Sequence, residues 1–217
     1  MPIWEFLETY GARLVSGTLI TSAQFVLATL IAVAVALCAG LGKLSGNWLI
    51  RGISVVYIEI FRGTPMIVQA MVIYYGASQY LGLNIPAMVA AFLVVSVNTG
   101  AYMAEIVRAA IQSIDKGQLE ASRALGMTYG QAMRRIIIPQ SYRRLIPPIS
   151  NEFIMVLKDT ALVSAIALAD LMRRTNLIQT KTASALVYIP AMLLYLLLTT
   201  MFTFVAGKME KRYAIYD

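Results

Sequence analysis

Histidine is absent from this sequence, and cysteine occurs once, at Cys38. Without histidine, neither a Ser/His/Asp nor a Cys/His catalytic group can be assembled. A zinc or haem centre built on His and Cys ligands is excluded on the same ground. Cys38 stands alone within an apolar run, so the chain forms no internal disulfide and carries no mark of its redox compartment. Charge is also scarce. Asp, Glu, Lys and Arg make up 13% of the residues, about half the share of an ordinary soluble domain. The N-terminal "MPIWEFLETYGARLVSG" lacks the basic region and small-residue cleavage site of a signal peptide. No repeat, low-complexity tract or linker divides the 217 residues, so residues 1–217 read as a single domain.

What the chain has in abundance is apolar length. It is 59% hydrophobic, with a mean hydropathy of +0.71. Runs of about 18 or more apolar residues read as membrane-spanning helices. Backbone groups in hydrocarbon must be paired within the segment, and these runs are too long for barrel strands. The expectation is an all-α polytopic membrane protein with about five spans, near 14–41, 49–81, 87–114, 145–169 and 186–207. The second is interrupted at Arg62-Gly63-Thr64-Pro65, the third by Asn98 and Thr99, and the fourth carries charges. Trp4 and Tyr10 suit a segment lying at the headgroups, or simply a frayed terminus.

The cations orient this bundle. Lys43, Arg51, Arg108, Lys116, Arg123, Arg134, Arg135, Arg143, Arg144, Lys208, Lys211 and Arg212 would share one side, and Arg13, Arg173, Arg174 and Lys181 the other. The positive-inside rule then puts the N-terminus outside and the C-terminus in the cytoplasm. The net charge of +7 follows the membrane boundaries without interleaved aromatics, which argues against nucleic acid.

Between the third and fourth spans lies a polar island, Glu120 to Pro139, "EASRALGMTYGQAMRRIIIP". Asp115 with Gln118 is a capping-box pattern that would open a short helix. Gly126 suits the left-handed residue just past its end, and Thr128 with Gln131 would open the next helix. Glu120 and Arg123 share one side of the short helix, and Leu119, Ala121, Ala124 and Leu125 give it small and apolar faces. A helix of about two turns needs a partner surface, either its own bundle or a soluble protein.

Charged residues inside spans are costly and tend to be functional. Glu152, Val156 and Asp159 share one helical face, and Asn151, Met155 and Lys158 the neighbouring one. A zwitterionic amino acid would be matched by Glu152 near its ammonium and Lys158 near its carboxylate, with Asn98 adding a hydrogen bond. The alternative is that these charges pair among themselves, Asp159 with Lys158 or Arg62. Glu59 and Arg62, three residues apart, are expected to neutralise each other, and Glu105 and Arg108 to pair likewise. Arg173, Arg174 and Lys181 form either a solvated loop or a basic docking patch, and Asp170 only caps or orients the outer loop.

The island resembles the cytoplasmic EAA loop of ATP-binding-cassette importer permeases, Glu-Ala-Ala, three residues, Gly, nine residues, Ile, one residue, Leu-Pro. Glu120, Ala121, Gly126, Ile136 and Pro139 fall on that pattern in register, and Ser122 and Ile138 depart from it with small or similarly shaped residues. "YIEIFRGTPMIVQ", "NTGAYMAEIVRAAIQSIDKGQLEA" and "PPISNEFIMVLKDTALVSAI" resemble the polar amino acid branch of the same family. The resemblance implies a type I importer core in a bacterial inner membrane, with residues at about 115–139 as its coupling loop. Glu120, Ala121, Ser122, Leu125 and Gly126 would meet a cytoplasmic ATPase dimer. Other implied partners are a second permease subunit, identical or homologous, an extracellular or periplasmic amino-acid-binding protein and a polar amino acid substrate. The chain would bind no cofactor. Its nearest imitation of a P-loop, "AGLGKLS", has Leu44 after Gly42-Lys43 and Leu37 where the first glycine belongs, so ATP and Mg would be held by the ATPase. The rival reading is an ion-coupled secondary amino-acid transporter with Glu152 or Asp159 as its relay.

Overall fold

The computed structural model describes residues 3–214 and, among them, only helices and their connections. Helix α1 runs unbroken over Ile3–Lys43, about 60 Å at 1.5 Å per residue, twice the hydrocarbon thickness of a bilayer. The headgroup segment expected around Trp4 and Tyr10 is therefore the first turns of α1, not a separate element. Helix α2, Trp48–Gly63, opens on Asn47, whose side chain accepts from the backbone N–H of Leu49 and Ile50. Helix α3, Met66–Leu81, includes a π turn at Val72–Gly76. It leaves α2 at 104°, because Pro65 has no N–H to continue the ladder.

Helix α4 is Ala87–Gln112 and α5 is Lys116–Ala124. Helix α6 is continuous over 129–159, with a π turn at Met133–Ile137 and Pro147 and Pro148 in its interior. A 3-10 turn, Thr160–Ile166, leads to α7, Leu171–Thr182, and the last helix, α8, is Tyr188–Ala214. Among the described residues, three helical stretches are long and apolar enough to cross a membrane: α1, α4, and Ala185–Lys208 at the last helix. The bent pair α2–α3 makes a fourth. The remaining expected span, 145–169, is helical to Ile166 but contains Glu152, Lys158 and Asp159.

α1 and α4 form the spine. Ala32 and Ala36 pack on Met103, and Ala39 packs with Ala104 and Ile58. Small residues let the backbones approach closely, the usual basis of helix packing in membranes. A Cβ on Gly100 would stand 2.8 Å from Val35 Cγ1, and one on Gly40 would stand 2.8 Å from the Ala104 carbonyl oxygen. The central core adds Met66 and Ala70 of α3, Val156 and Leu157 of α6, and Val163 and Ile166 of the 3-10 turn.

At the end of the bundle away from α5, α7 lies against α1 at Gly17, where a Cβ would meet Leu171 Cα at 2.9 Å. Asp170 caps α7 by accepting from Arg173 N at 2.8 Å, and Thr21 accepts from Leu171 N at 3.2 Å. Arg174 donates to the Ala169 carbonyl and to Ser16 Oγ, so one of the three cations of the expected docking patch holds the fold. Asp170 is fully buried, and its second oxygen meets no donor among the described residues. Burial pushes its carboxyl up to about 6, against the lowering effect of the capping N–H groups. A raised folded value means that stability present below about pH 4 is lost as pH rises through 6. Asp170→Asn keeps the capping oxygen. In thermal unfolding it is expected to match wild type at pH 4 and to exceed it by ~2–3 kcal/mol at pH 7.5.

Candidate functional site

Two sites stand at the two ends of α6. The first is the loop over 115–139. Asp115 caps α5 by accepting from Gly117 N at 2.7 Å. The expected capping box is not formed, because the Gln118 side chain instead accepts from Gln140 of α6. The helix closes as expected at Gly126, whose φ is +81°. Gly126 N donates to the Arg123 carbonyl and Met127 N to that of Ser122, the paired bonds of a Schellman end. The Thr128–Gln131 capping box is present in both directions. Between these stops Glu120, Ala121 and Gly126 are exposed, and Leu125 is 81% exposed. Ser122 is turned inward, its hydroxyl bonded to the Gln118 carbonyl. α5 thus buries Ser122, is tied to α6 through the Gln118–Gln140 bond, and presents the other four residues outward.

The second site is built on the break between α2 and α3. Ending a helix at Thr64 leaves carbonyls without intrahelical donors. Gln69 donates to the carbonyls of Phe61 and Thr64, both at 3.0 Å, and Asn98 donates to the Phe61 carbonyl and to Gln69 Oε1, both at 3.0 Å. Thr64 Oγ closes on the Ile60 carbonyl at 2.8 Å, and Tyr102 reaches the Arg62 carbonyl. Beside this knot lies a cavity of about 240 Å³ bounded by Thr64, Met66, Asn98, Thr99, Tyr102, Glu152, Met155, Asp159 and Leu162. That volume lies below the usual range of small-molecule pockets, about 300–1,000 Å³, so what marks this cavity is its polar lining beside the broken helix. Glu152 and Asp159 both face it, and neither pairs with a cation among the described residues.

The zwitterion cage expected from the sequence is not assembled. Lys158 lies on another side of α6 and lines a separate groove with Met172, Tyr188 and Tyr195. Asn151 is exposed and does not border the cavity. Asn98 does border it, but its amide N–H₂ is engaged with the broken helix, which leaves its carbonyl oxygen for a ligand. The expected Glu59–Arg62 pair is absent too. Glu59 lies 3.9 Å from Lys43, and the Arg62 guanidinium sits 5.4 Å from the centre of the Tyr102 ring. The Glu105–Arg108 pair does form, at 2.8 Å, and gains Lys43 as a second cation. Gln69 and Tyr102 are not singled out by the sequence pattern. The one signal for Gln69 is a polar side chain five residues after Thr64, at a break in an apolar run.

Comparison with known proteins agrees with this architecture. Residues 28–215 match the family described as the binding-protein-dependent transport system inner membrane component. The arginine transport system permease protein ArtQ of Bacillus subtilis (strain 168) is 36% identical over 200 residues, 92% of this chain and 91% of that protein. The glutamine transport system permease protein GlnP of Escherichia coli (strain K12) is 35% identical over 214 residues, 98% of each. A crystal structure of an amino acid ABC transporter with histidines has a TM-score of 0.91 at 39% identity, covering 98% of this chain and 99% of that one. An inward-facing MetNI methionine ABC transporter shares the fold at a TM-score of 0.77 and 21% identity, covering 95% and 98%. The chain belongs to the family of inner membrane components of binding-protein-dependent transport systems.

Proposed function

We propose that this chain is the translocation subunit of an ATP-driven importer of polar amino acids, and that its cavity favours a basic one. In this reading the bundle crosses a bacterial inner membrane five times, with its N-terminus outside and its C-terminus and α5 in the cytoplasm. α5 inserts into a cytoplasmic ATPase dimer that binds ATP and Mg. A second permease subunit completes the pathway, and a binding protein on the outer side delivers the substrate. The chain needs no cofactor of its own.

The observation that carries the reading is that α6 begins beside the exposed loop and ends with Glu152 and Asp159 in the cavity. A continuous helix of 129–159, about 45 Å long, links a docking surface to a polar site at a broken span. Interrupted helices offer free backbone groups to charged ligands. Relatives named for arginine and glutamine transport support an amino acid as cargo. Two carboxylates sharing one cavity repel each other, so a cationic side chain or ammonium is the ligand group they favour. Arg62 stands over Tyr102, which borders the cavity, and suits the substrate carboxylate.

Two carboxylates in one cavity also fit a proton relay, the rival secondary-transport mechanism. Uptake by proteoliposomes that contain the chain with its ATPase separates the two. Uptake is expected to need ATP on the side that the ATPase faces, and to survive ionophores that collapse ion and voltage gradients. Uptake that persists without the ATPase and disappears with the gradient would overturn the proposal.

A further inference from the structure

One polar cluster belongs to neither site. Glu105, on α4 and 14% exposed at its side chain, holds two cations on opposite oxygens. Its Oε1 binds Lys43, the last residue of α1, and its Oε2 binds Arg108 at 2.8 Å. Lys43 also lies 3.9 Å from Glu59 of α2, whose side chain is 68% exposed. Lys43 therefore has two carboxylates within reach on two different helices, one close and sheltered, the other at the edge of contact and solvated. Arg108 continues the chain by donating to Gln112, the last residue of α4. The next carbonyl, that of Ser113, accepts from Arg144 of α6, and Asp115 then caps α5.

On the other side, Glu59 stands five residues before the break at Thr64. Tyr102, one turn before Glu105 on α4, borders the cavity and holds the Arg62 carbonyl. The cluster thus sits between the cavity and the loop, where three helices meet. Two lysine and arginine charges against two carboxylates leave it neutral. With side chains 14–30% exposed, the Glu105 pairs are only partly shielded and cost less to break than a fully buried pair, whereas the exposed Glu59 contact adds little by itself. Lys43 thus ties the end of α1 closely to α4 and, at the edge of contact, to α2.

We propose that Lys43, Glu105 and Arg108 form an ionic hub that makes the inner ends of α1, α2 and α4 move as one body with α5. In this role the hub sets how strongly ATP hydrolysis responds to substrate. The proposal rests on the importer reading and adds positioning residues that touch neither substrate nor ATPase. Neutralising the hub lets the loop and the broken helix move independently, so the ATPase would still turn over but no longer respond to the cavity.

The test uses the full complex in proteoliposomes with its binding protein. Basal and amino-acid-stimulated ATP hydrolysis are measured for wild type, Lys43→Gln, Glu105→Gln and the double variant, with subunit stoichiometry checked by co-purification. Lys43→Gln leaves Glu105 paired with Arg108, so it carries the test if Glu105→Gln fails to assemble. Each single variant is expected to lower the ratio of stimulated to basal rate by about fivefold or more, with basal rate within about twofold of wild type. The double variant is expected to be no worse than either single, as for one shared interaction. Glu105→Asp is expected to restore part of the ratio. An unchanged ratio overturns the proposal. So does a parallel fall of both rates, which would mark the cluster as a plain structural staple. If wild-type hydrolysis responds to no amino acid at all, the importer reading fails and the hub with it; a responsive wild type with indifferent variants removes the hub alone.

Discussion

Glu152→Gln is expected to lower ATP-driven uptake of a basic amino acid by about thirtyfold or more, and Asp159→Asn to act in the same direction. Both carboxylates face the cavity beside the broken helix, and neither forms an ion pair within 4.0 Å among the described residues, Arg62 and Lys158 acting on them only from farther away. An incoming guanidinium or ammonium would supply the close partner. Truncating one member of a desolvated charge pair costs ~2–5 kcal/mol, and each 1.4 kcal/mol is about a factor of ten. The loss should be selective. Competition assays with neutral amide substrates are expected to show a much smaller change for Glu152→Gln, because an uncharged side chain gains nothing from a second anion. Lys158→Gln, in its separate groove, is expected to change uptake by less than about threefold. If Lys158→Gln is the damaging variant and Glu152→Gln is silent, the substrate lies in the groove by Tyr188 and Tyr195, and the cavity assignment is wrong.

Leu125→Asp and Glu120→Lys are expected to prevent the permease from retaining its ATPase. Leu125 is 81% exposed at the end of α5, and the helix around it is firmly stopped by Asp115 and Gly126. An apolar side chain held outward on a fixed backbone is poised for burial by a partner. Burying a leucine contributes about 1.5–3 kcal/mol, and placing a carboxylate there instead adds a desolvation cost. Pull-down of the ATPase by the affinity-tagged permease reads this directly, and loss of more than about nine-tenths of the bound ATPase is expected for Leu125→Asp. Ser122→Ala should be mild by comparison, since Ser122 faces inward and its hydroxyl serves only the Gln118 carbonyl.

Most features that local pattern controls are legible in the sequence, the Asp115–Gln118 box excepted, where Gln140 of α6 takes the Gln118 side chain. Apolar length marks the helices, and Arg62–Pro65 marks the position of the break, because proline removes a donor wherever it falls. The Thr128–Gln131 box and the stop at Gly126 depend on neighbours within a few residues, and both form. The shared face of Glu152 and Asp159 follows from helical periodicity. Interactions that cross the fold are not legible in this way. Spacing favours Glu59 with Arg62, yet the 104° turn after Gly63 and the aromatic ring of Tyr102 give Arg62 another place. Lys43 and Glu105 are 62 positions apart, and only the packing of α1 on α4 brings them together. Gln69 reads as one polar residue in an apolar run, and its role depends on a backbone folded back on itself. Lys158 sits on the expected helix but among other neighbours, because a rotation of one residue on a helix decides which groove a side chain enters.

The most direct test of the account is a cryo-electron microscopy structure of the assembled complex with saturating arginine. Ligand density is expected in the cavity between the α2–α3 break and α6, with the cationic end within hydrogen-bonding distance of Glu152 or Asp159 and the carboxylate towards Arg62. The same map should show α5 seated in the ATPase. Arginine density beside Lys158, or α5 exposed to solvent in an assembled complex, would contradict it.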